Sequence, residues 1–472
     1  MSSSHFDVII LGGGPAGERA AVQAGRAGKR VALVEREHVV GGACVNWGTI
    51  PSKTLRESAI FVRELTTQKI EGIRCEIKER ITMADFMHHE RVVVQRELEL
   101  INRTLEKYAI EVFAGHGRFI DPHTVSVTGK DGRERLRLRA DFVVIATGSV
   151  PNHPPDIDFN GETVFDSSTI LRLQRMPESM VVLGAGVIGV EYASVFAALG
   201  IQVTLIDTRD QLLPYLDREI AALLKRSLKK LGIVLVQNDH YRKVETAPGP
   251  RSTVRIYTRA GNLLEADVLL YCVGRDGSTR DLGLESAGIS PNDRGLIDVN
   301  EFYQTVQPHI YAVGDVIGYP ALASTSAEQG RQAMRHAFNI PGPRGRTEML
   351  PFAIYAIPEI SHIGVTEEDL KQGSRDYVVG LGRYEMNPRG QILGDTDGVL
   401  KLLFETDSLR LVGAHVIGTS ASELIHVGQA FLLNNADAYQ IAETLYNYPT
   451  LSDLYRHAAL EAIAARRRKR GG

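Results

Sequence analysis

Residues 6–17 read Phe6-Asp7-Val8-Ile9-Ile10-Leu11-Gly12-Gly13-Gly14-Pro15-Ala16-Gly17. An apolar run too short for a helix stops at three glycines, as a buried strand does when it ends in a tight turn. Glu18–Ala27 then has helical character, and Arg30–Val34 is a second apolar strand closed by an acid, Glu35. Strand, glycine turn, helix, strand and acid in that order form the fingerprint of a dinucleotide-binding unit. Gly12 permits the turn, Gly14 lets backbone approach a pyrophosphate, and Gly17 lets the helix lie close to the strand. The diphosphate then meets the free N–H groups of a helix N-terminus. Glu35 can accept hydrogen bonds from both ribose hydroxyls of an adenosine, while its charge repels a 2′-phosphate. The glycines alone are weak evidence; strand, helix and acid in register make the assignment specific.

A second copy begins at Val181-Val182-Leu183, followed by Gly184-Ala185-Gly186-Val187-Ile188-Gly189. A helix over 190–199 and a strand Val203–Ile206 lead to Asp207. The spacing from first glycine to terminal acid is the same in both copies, 12 to 35 and 184 to 207. Two such units point to two dinucleotides. Asp207 favours a free 2′-hydroxyl, hence NAD; Arg209, two residues on, offers a guanidinium suited to a 2′-phosphate, hence NADP. At about 4 Å and an effective dielectric near 20, either charge is worth about 4 kcal/mol, with opposite sign. They roughly offset, and both nucleotides stay open. Arg275, after Gly274 at the end of the strand expected over Ala266–Val273, is a second candidate for the phosphate.

At 472 residues the chain has room for about three domains. Its composition is that of a soluble globular protein: a net charge of -3 argues against a general nucleic-acid binder, which would be basic. Three cysteines, Cys44, Cys75 and Cys272, are too few and odd in number for a stapled secreted scaffold, so a reducing cytoplasm is expected. Residues 1–11 lack a basic signal-peptide start, and no long uncharged apolar run suggests a membrane span. Arg466-Arg467-Arg468-Lys469-Arg470 reads either as a tether to an anionic surface or as a solvated, frayed end, and the frayed end is the expectation. No metal-ligand cluster, catalytic triad or phosphotransfer motif is found.

The stretch Gly41-Gly42-Ala43-Cys44-Val45-Asn46-Trp47-Gly48-Thr49-Ile50-Pro51-Ser52-Lys53 leads into a helix expected at Pro51–Leu55. It resembles the FAD-dependent pyridine nucleotide–disulfide oxidoreductases, whose members carry Gly-Gly-x-Cys, four residues, Cys, then Ile-Pro-Ser-Lys. Cys44 is the first family cysteine, but Thr49 stands at the second position. A hydroxyl cannot exchange disulfides, because exchange runs through thiolate attack on sulfur. Cys-x-x-x-x-Thr with Trp47 and Gly48 resembles one branch of that family, the soluble pyridine nucleotide transhydrogenases. The family's C-terminal His-Pro-Thr-x-x-Glu is matched here by Tyr448-Pro449-Thr450-Leu451-Ser452-Asp453. An unperturbed Tyr titrates near about 10 against about 6.5 for His, so it is a poor proton shuttle at neutral pH. A hydride passed from one nicotinamide to a flavin and on to another needs neither the second sulfur nor the base.

The resemblance covers nearly the whole chain and implies an α/β fold. Two Rossmann-like dinucleotide-binding domains, for FAD and NAD(P), would precede a C-terminal α+β dimerisation domain. The FAD domain would take residues 1–150 and 277–346, the NAD(P) domain 151–276, and the interface domain 347–472, giving a homodimer or higher homo-oligomer. It implies that Gly42, Cys44, Thr147 and Gly148 line the flavin. Within Thr305–Asp315, Gly314 and Asp315 would serve the ribityl chain, with Ala323 opening a helix over 322–339 aimed at the flavin. Lys53 and Glu191 would form an ion pair beside the ring. Cys44 keeps three readings: a packed relic, a thiolate that tunes the flavin, or a site of sulfenic acid formation. Val187 is too small to gate the nicotinamide pocket as a tyrosine does in some relatives. The implied activity is reversible hydride transfer between NADPH and NAD+ through FAD. Its rivals are an NAD(P)H dehydrogenase serving quinones or dyes and a non-catalytic flavin-binding redox sensor. Cys75 and Cys272 lie outside any motif and are expected as buried thiols. Ile81–Tyr108 reads as an amphipathic helix opened by a Thr82–Asp85 capping box.

Overall fold

A computed structural model describes residues 4–67, 82–247, 252–342 and 349–471. Cys75, Ile81 and most of the Pro341–Arg346 linker lie outside the described residues. The chain opens with β1 (Ser4–Leu11), α1 (Pro15–Arg26), β2 (Val31–Glu35), α2 (Gly42–Asn46), α3 (Thr49–Thr67) and α4 (Met83–Lys107). Strands β3 (Glu111–Ala114), β4 (His116–Asp121), β5 (Thr124–Thr128) and β6 (Glu134–Ile145) follow. Val8–Leu11 are almost fully buried, because both faces of the sheet are covered and leave no side for polar alternation: Val8 and Ile10 pack with Ala16 and Ala20 of α1, and Ile9 and Leu11 with Phe119, Val125 and Leu284. Pro15 suits the first helical position of α1, where a missing N–H costs nothing. α4 opens with the expected capping box, Thr82 and Asp85 each accepting the other's backbone N–H.

The chain leaves this sheet through β7 (Ser149–Pro151) and builds a second one. Its elements are β8 (Val164–Asp166), β9 (Ser179–Leu183), α5 (Val187–Ala198), β10 (Gln202–Asp207), α6 (Arg218–Lys230) and β11 (Val234–Gln237). An antiparallel meander, β12 (Tyr241–Ala247), β13 (Thr253–Thr258) and β14 (Leu263–Ala266), precedes β15 (Val268–Tyr271). The second sheet runs β11-β10-β9-β15-β8, all parallel. The strand expected over Ala266–Val273 is the shorter β15, and Ala266 ends the preceding β14. Asp267 sits between them, its carboxylate accepting the Glu178 N–H at 2.7 Å, so the chain changes sheet there.

The chain returns through β16 (Arg275–Gly277), antiparallel to β7, and β17 (Ile310–Ala312) rejoins the first sheet beside β6. Strand β6 has β1 along one edge, while its other edge is shared by β5 and, at its C-terminal end, β17. Helix α7 (Ala323–Ala337) lies against α1 so closely that a Cβ at Gly330 would stand 2.1 Å from the Ala16 carbonyl oxygen.

The remaining chain forms a five-stranded antiparallel sheet in the order 352–354, 360–364, 411–417, 399–405, 377–383. Helices Ala421–Leu433 and Leu454–Lys469 accompany it. The basic end does not fray. It continues the last helix, with Lys469 paired to Asp376 and Arg470 to Asp407 at 2.5 Å, while Arg467–Arg470 stay exposed to solvent as expected. Among the described residues no helix is long and apolar enough to cross a membrane.

Candidate active site

The two glycine turns are built alike. Gly12 has φ 102° and Gly184 φ 96°, in the region only glycine enters freely. A Cβ on Gly17 would sit 1.9 Å from the Gly12 oxygen, and one on Gly189 1.9 Å from the Gly184 oxygen. Helices α1 and α5 begin at Gly14 and Gly186 with nearly identical backbone angles and no capping side chain. Their first N–H groups are therefore available to a diphosphate.

Around the first turn, the Cβ that Gly42 lacks would lie 2.7 Å from Gly14 Cα, so α2 is laid directly against it. Thr147 Oγ1 is buried without a hydrogen-bond partner, and Gly148 at φ 71° faces open space. Asp315 accepts from Ser149 Oγ at 2.7 Å, and the Gly314 N–H donates to Gln329 at 2.8 Å. α7 begins at Ala323, also without a capping side chain. An orphaned hydroxyl, two uncapped helix starts and an acid at the end of β2 suit a large polar ligand, and FAD fits them.

Asp207 ends β10 as expected and accepts the Ala185 N–H at 2.6 Å. Arg209 is bound to it directly, Nε to Oδ1 and Nη2 to Oδ2, both at 2.7 Å. Burial raises the Asp207 carboxyl, but bonds from the Arg209 side chain and the backbone outweigh it and hold it below the usual range. Gly274 has φ 84° and marks the return. Arg275, read as a second partner for a 2′-phosphate, is instead committed to the crossing of β7 and β16. Its Nε donates to Ser149 Oγ at 2.9 Å and its Nη2 to the Ser149 carbonyl at 2.8 Å. The antiparallel register of β7 with β16 places it there, which its position in sequence does not reveal.

Between the cradles lie α2, α3 and α5. Helix α3 starts at Thr49, two residues before the expected Pro51, and Pro51 falls in its first turn, where proline is tolerated. Lys53 Nζ stands 2.7 Å from Glu191 Oε2, joining α3 to α5. The other Glu191 oxygen accepts the Tyr355 N–H at 2.8 Å, and Lys53 Nζ lies 5.0 Å from the Tyr355 ring centre. Two further ties hold this arrangement: Arg56 Nε to the Ala356 carbonyl at 3.0 Å, and the Ile357 N–H to Ser194 Oγ at 3.0 Å. Sequence reading found Lys53 and Glu191 but missed Tyr355 and Ser149, which belong to no motif.

Cys44 is half-buried in α2. Burial pushes its thiol up, and a hydrogen bond with Thr49 and the charge of Lys53 only partly reverse this. The upward direction of that shift weighs against the thiolate reading. Cys272, expected as a buried thiol, is only partly buried, although desolvation drives its thiol up as well. Tyr448 is 76% exposed, and Asp453 faces Arg456 and His457 of its own helix, each at 3.3 Å. No group of His, Cys, Asp and Glu among the described residues could hold a metal ion.

Residues 6–330 match the family described as pyridine nucleotide-disulphide oxidoreductase, and residues 350–459 match its dimerisation domain. A soluble pyridine nucleotide transhydrogenase of Mycobacterium tuberculosis is 43% identical over 459 residues, 97% of each chain. One from Serratia proteamaculans is 41% identical over 462 residues, 97% of this chain and 98% of the relative. Among solved structures, LpdA from Mycobacterium tuberculosis superposes with a TM-score of 0.89 at 28% identity, covering 97% of this chain and 99% of the other. The HOCl-induced flavoprotein disulfide reductase RclA from Escherichia coli gives 0.85 at 27%, covering 96% and 99%. With both cradles in place and the resemblance running from end to end, the chain belongs to the pyridine nucleotide-disulphide oxidoreductase family.

Proposed function

We propose that this chain is a soluble NAD(P)+ transhydrogenase that moves a hydride reversibly between NADPH and NAD+ through bound FAD, with no redox-active disulfide. One observation carries the reading. Two intact dinucleotide cradles flank a Lys53–Glu191 pair, while the residue hydrogen-bonded to Cys44 is a threonine. When bound, FAD supplies the ring that stores the hydride between the two nucleotides. Gly12, Gly14 and Gly17 bring the first N–H groups of α1 to its diphosphate, and Glu35 takes the adenosine ribose. Gly42, Thr147 and Gly148 line the rest of the cradle, Gly314 and Asp315 serve the ribityl chain, and α7 presents its N-terminus from Ala323. Gly184, Gly186 and Gly189 do the same for the nicotinamide nucleotide, with Asp207 and Arg209 at its ribose. Gly274 and Arg275 open the return strand beside it.

Lys53 supplies a fixed positive charge, which favours added electron density nearby. Glu191 holds that lysine in place and lowers the cost of burying it. NADPH and NAD+ become NADP+ and NADH without a net proton, so the chain needs no acid or base. Disulfide reduction would require a sulfur at position 49. We further infer a cytoplasmic homodimer. In it, residues 1–150 and 277–346 form the FAD domain, 151–276 the NAD(P) domain, and 347–472 the subunit interface.

Steady-state kinetics with each nucleotide as donor and as acceptor tests the reading. Because donor and acceptor use one cradle in turn, double-reciprocal plots should be parallel and turnover should need no dithiol. Fast reduction of quinones with no transfer to nicotinamide acceptors would replace it with a dehydrogenase.

A further inference from the structure

Glu35 and Asp207 close matching strands at matching distances from their glycines, yet their surroundings differ. Glu35 accepts two backbone N–H groups, from Gly13 at 2.7 Å on one oxygen and from Glu37 at 2.8 Å on the other. The nearby Arg36 pairs with Glu37 instead, at 3.4 Å. Each Glu35 oxygen therefore keeps acceptor capacity for a ribose hydroxyl.

Asp207 accepts four hydrogen bonds. Oδ2 takes the Ala185 N–H at 2.6 Å and Arg209 Nη2 at 2.7 Å, while Oδ1 takes the Arg209 N–H at 2.9 Å and Nε at 2.7 Å. An ionised carboxylate offers about four lone-pair sites, so this one is fully occupied before any nucleotide arrives. The Asp207 side chain is 6% exposed and that of Arg209 43%, so the guanidinium lies over the acid on its solvent side. Paired forks of this kind are strong and geometrically specific.

We propose that Arg209 masks Asp207 and that the mask biases the nicotinamide cradle toward nucleotides bearing a 2′-phosphate. This deepens the proposed function and rests on its assignment of the second cradle. A 2′-hydroxyl can reach the carboxylate only by displacing the guanidinium. A 2′-phosphate takes the open side of that guanidinium, where Nη1 makes no hydrogen bond among the described residues, and leaves the fork intact. The retained guanidinium also cancels the repulsion a bare Asp207 would exert on the phosphate. Thus NADP(H) binds the site as it stands, whereas NAD(H) must open it.

The test uses the flavin-loaded protein with ADP-ribose and 2′-phospho-ADP-ribose, read by titration calorimetry. Neither ligand carries a nicotinamide, so hydride transfer does not enter. Wild-type protein should bind the 2′-phosphorylated ligand at least about tenfold more tightly. Arg209→Ala should weaken that ligand by about tenfold or more and tighten ADP-ribose by about threefold or more, inverting the preference. Arg209→Lys, which cannot form the fork, should also tighten ADP-ribose while keeping part of the phosphate affinity. If ADP-ribose binds Arg209→Ala no better than wild type, there is no mask and the proposal is overturned. If wild type binds neither ligand, the proposal falls together with the cradle assignment. The expected pattern in a protein that transfers no hydride would uphold the mask and sink the transhydrogenase reading alone.

Discussion

Lys401 is 1% exposed and lies where the start of α6 meets the five-stranded antiparallel sheet, its Nζ 2.6 Å from Glu367, 2.9 Å from Asp217 and 3.1 Å from Glu219. Asp217 caps α6 by accepting the Glu219 N–H at 3.0 Å and ends the loop that carries Arg209. Lys401→Met keeps nearly the same length and volume, so the cavity cost is small and the electrostatic cost dominates. Glu219 and Glu367 retain side-chain exposures of 45% and 21% and can turn to water, but Asp217, at 0%, is left as a stranded carboxylate. Removing one partner of such a buried pair costs about 3–5 kcal/mol. Adding Asp217→Asn removes the stranded charge and should recover part of that loss, despite the weaker cap. Urea unfolding midpoints of the flavin-loaded proteins measure both. A cost below about 1 kcal/mol, or a double variant as unstable as the two single losses added together, would refute the reasoning.

The same cluster sets an acid limb. Burial raises the Glu367 carboxyl, but hydrogen bonds from Lys401, Lys371 and Tyr377 outweigh it and hold it at about 2. Its folded value lies below its ordinary 4.5. Its contribution is therefore complete above that value and is lost as pH falls from there toward about 2. Lys401→Met should flatten this part of the stability profile.

Other outcomes follow from the site. Gly17→Ala places a Cβ 1.9 Å from the Gly12 oxygen and should yield colourless protein on purification; Gly189→Ala, with the same clash at Gly184, should stay yellow and lose nucleotide turnover. Cys44→Ser should retain most hydride transfer in the steady-state assay. Iodoacetamide should label Cys44 slowly at neutral pH and faster only above the ordinary thiol range, near about 8.5. Thr49→Cys puts a sulfur beside the thiol, so oxidant should consume both thiols in a titration. Lipoamide reduction by the wild-type protein should stay negligible, because Thr49 supplies no second sulfur for exchange.

The sequence by itself determined the two cradles, because a tight turn and a close helix–strand approach can be met only by particular residues at particular spacings. Gly12, Gly17, Gly184 and Gly189 are where an added Cβ would strike backbone or strain the turn, and the acids at 35 and 207 follow from strand length. It also showed the missing sulfur at Thr49 and the missing imidazole at Tyr448. Tertiary structure alone decided which charges neutralise one another. Arg209 was legible as a cation beside an acid, but only its rotamer shows that it occupies every free acceptor of Asp207. Arg275 went to the crossing, Lys401 to three acids from distant segments, and the basic tail to Asp376 and Asp407. Backbone requirements are local and leave a pattern along the chain, whereas ion pairing is settled by which surfaces meet after the sheets have packed.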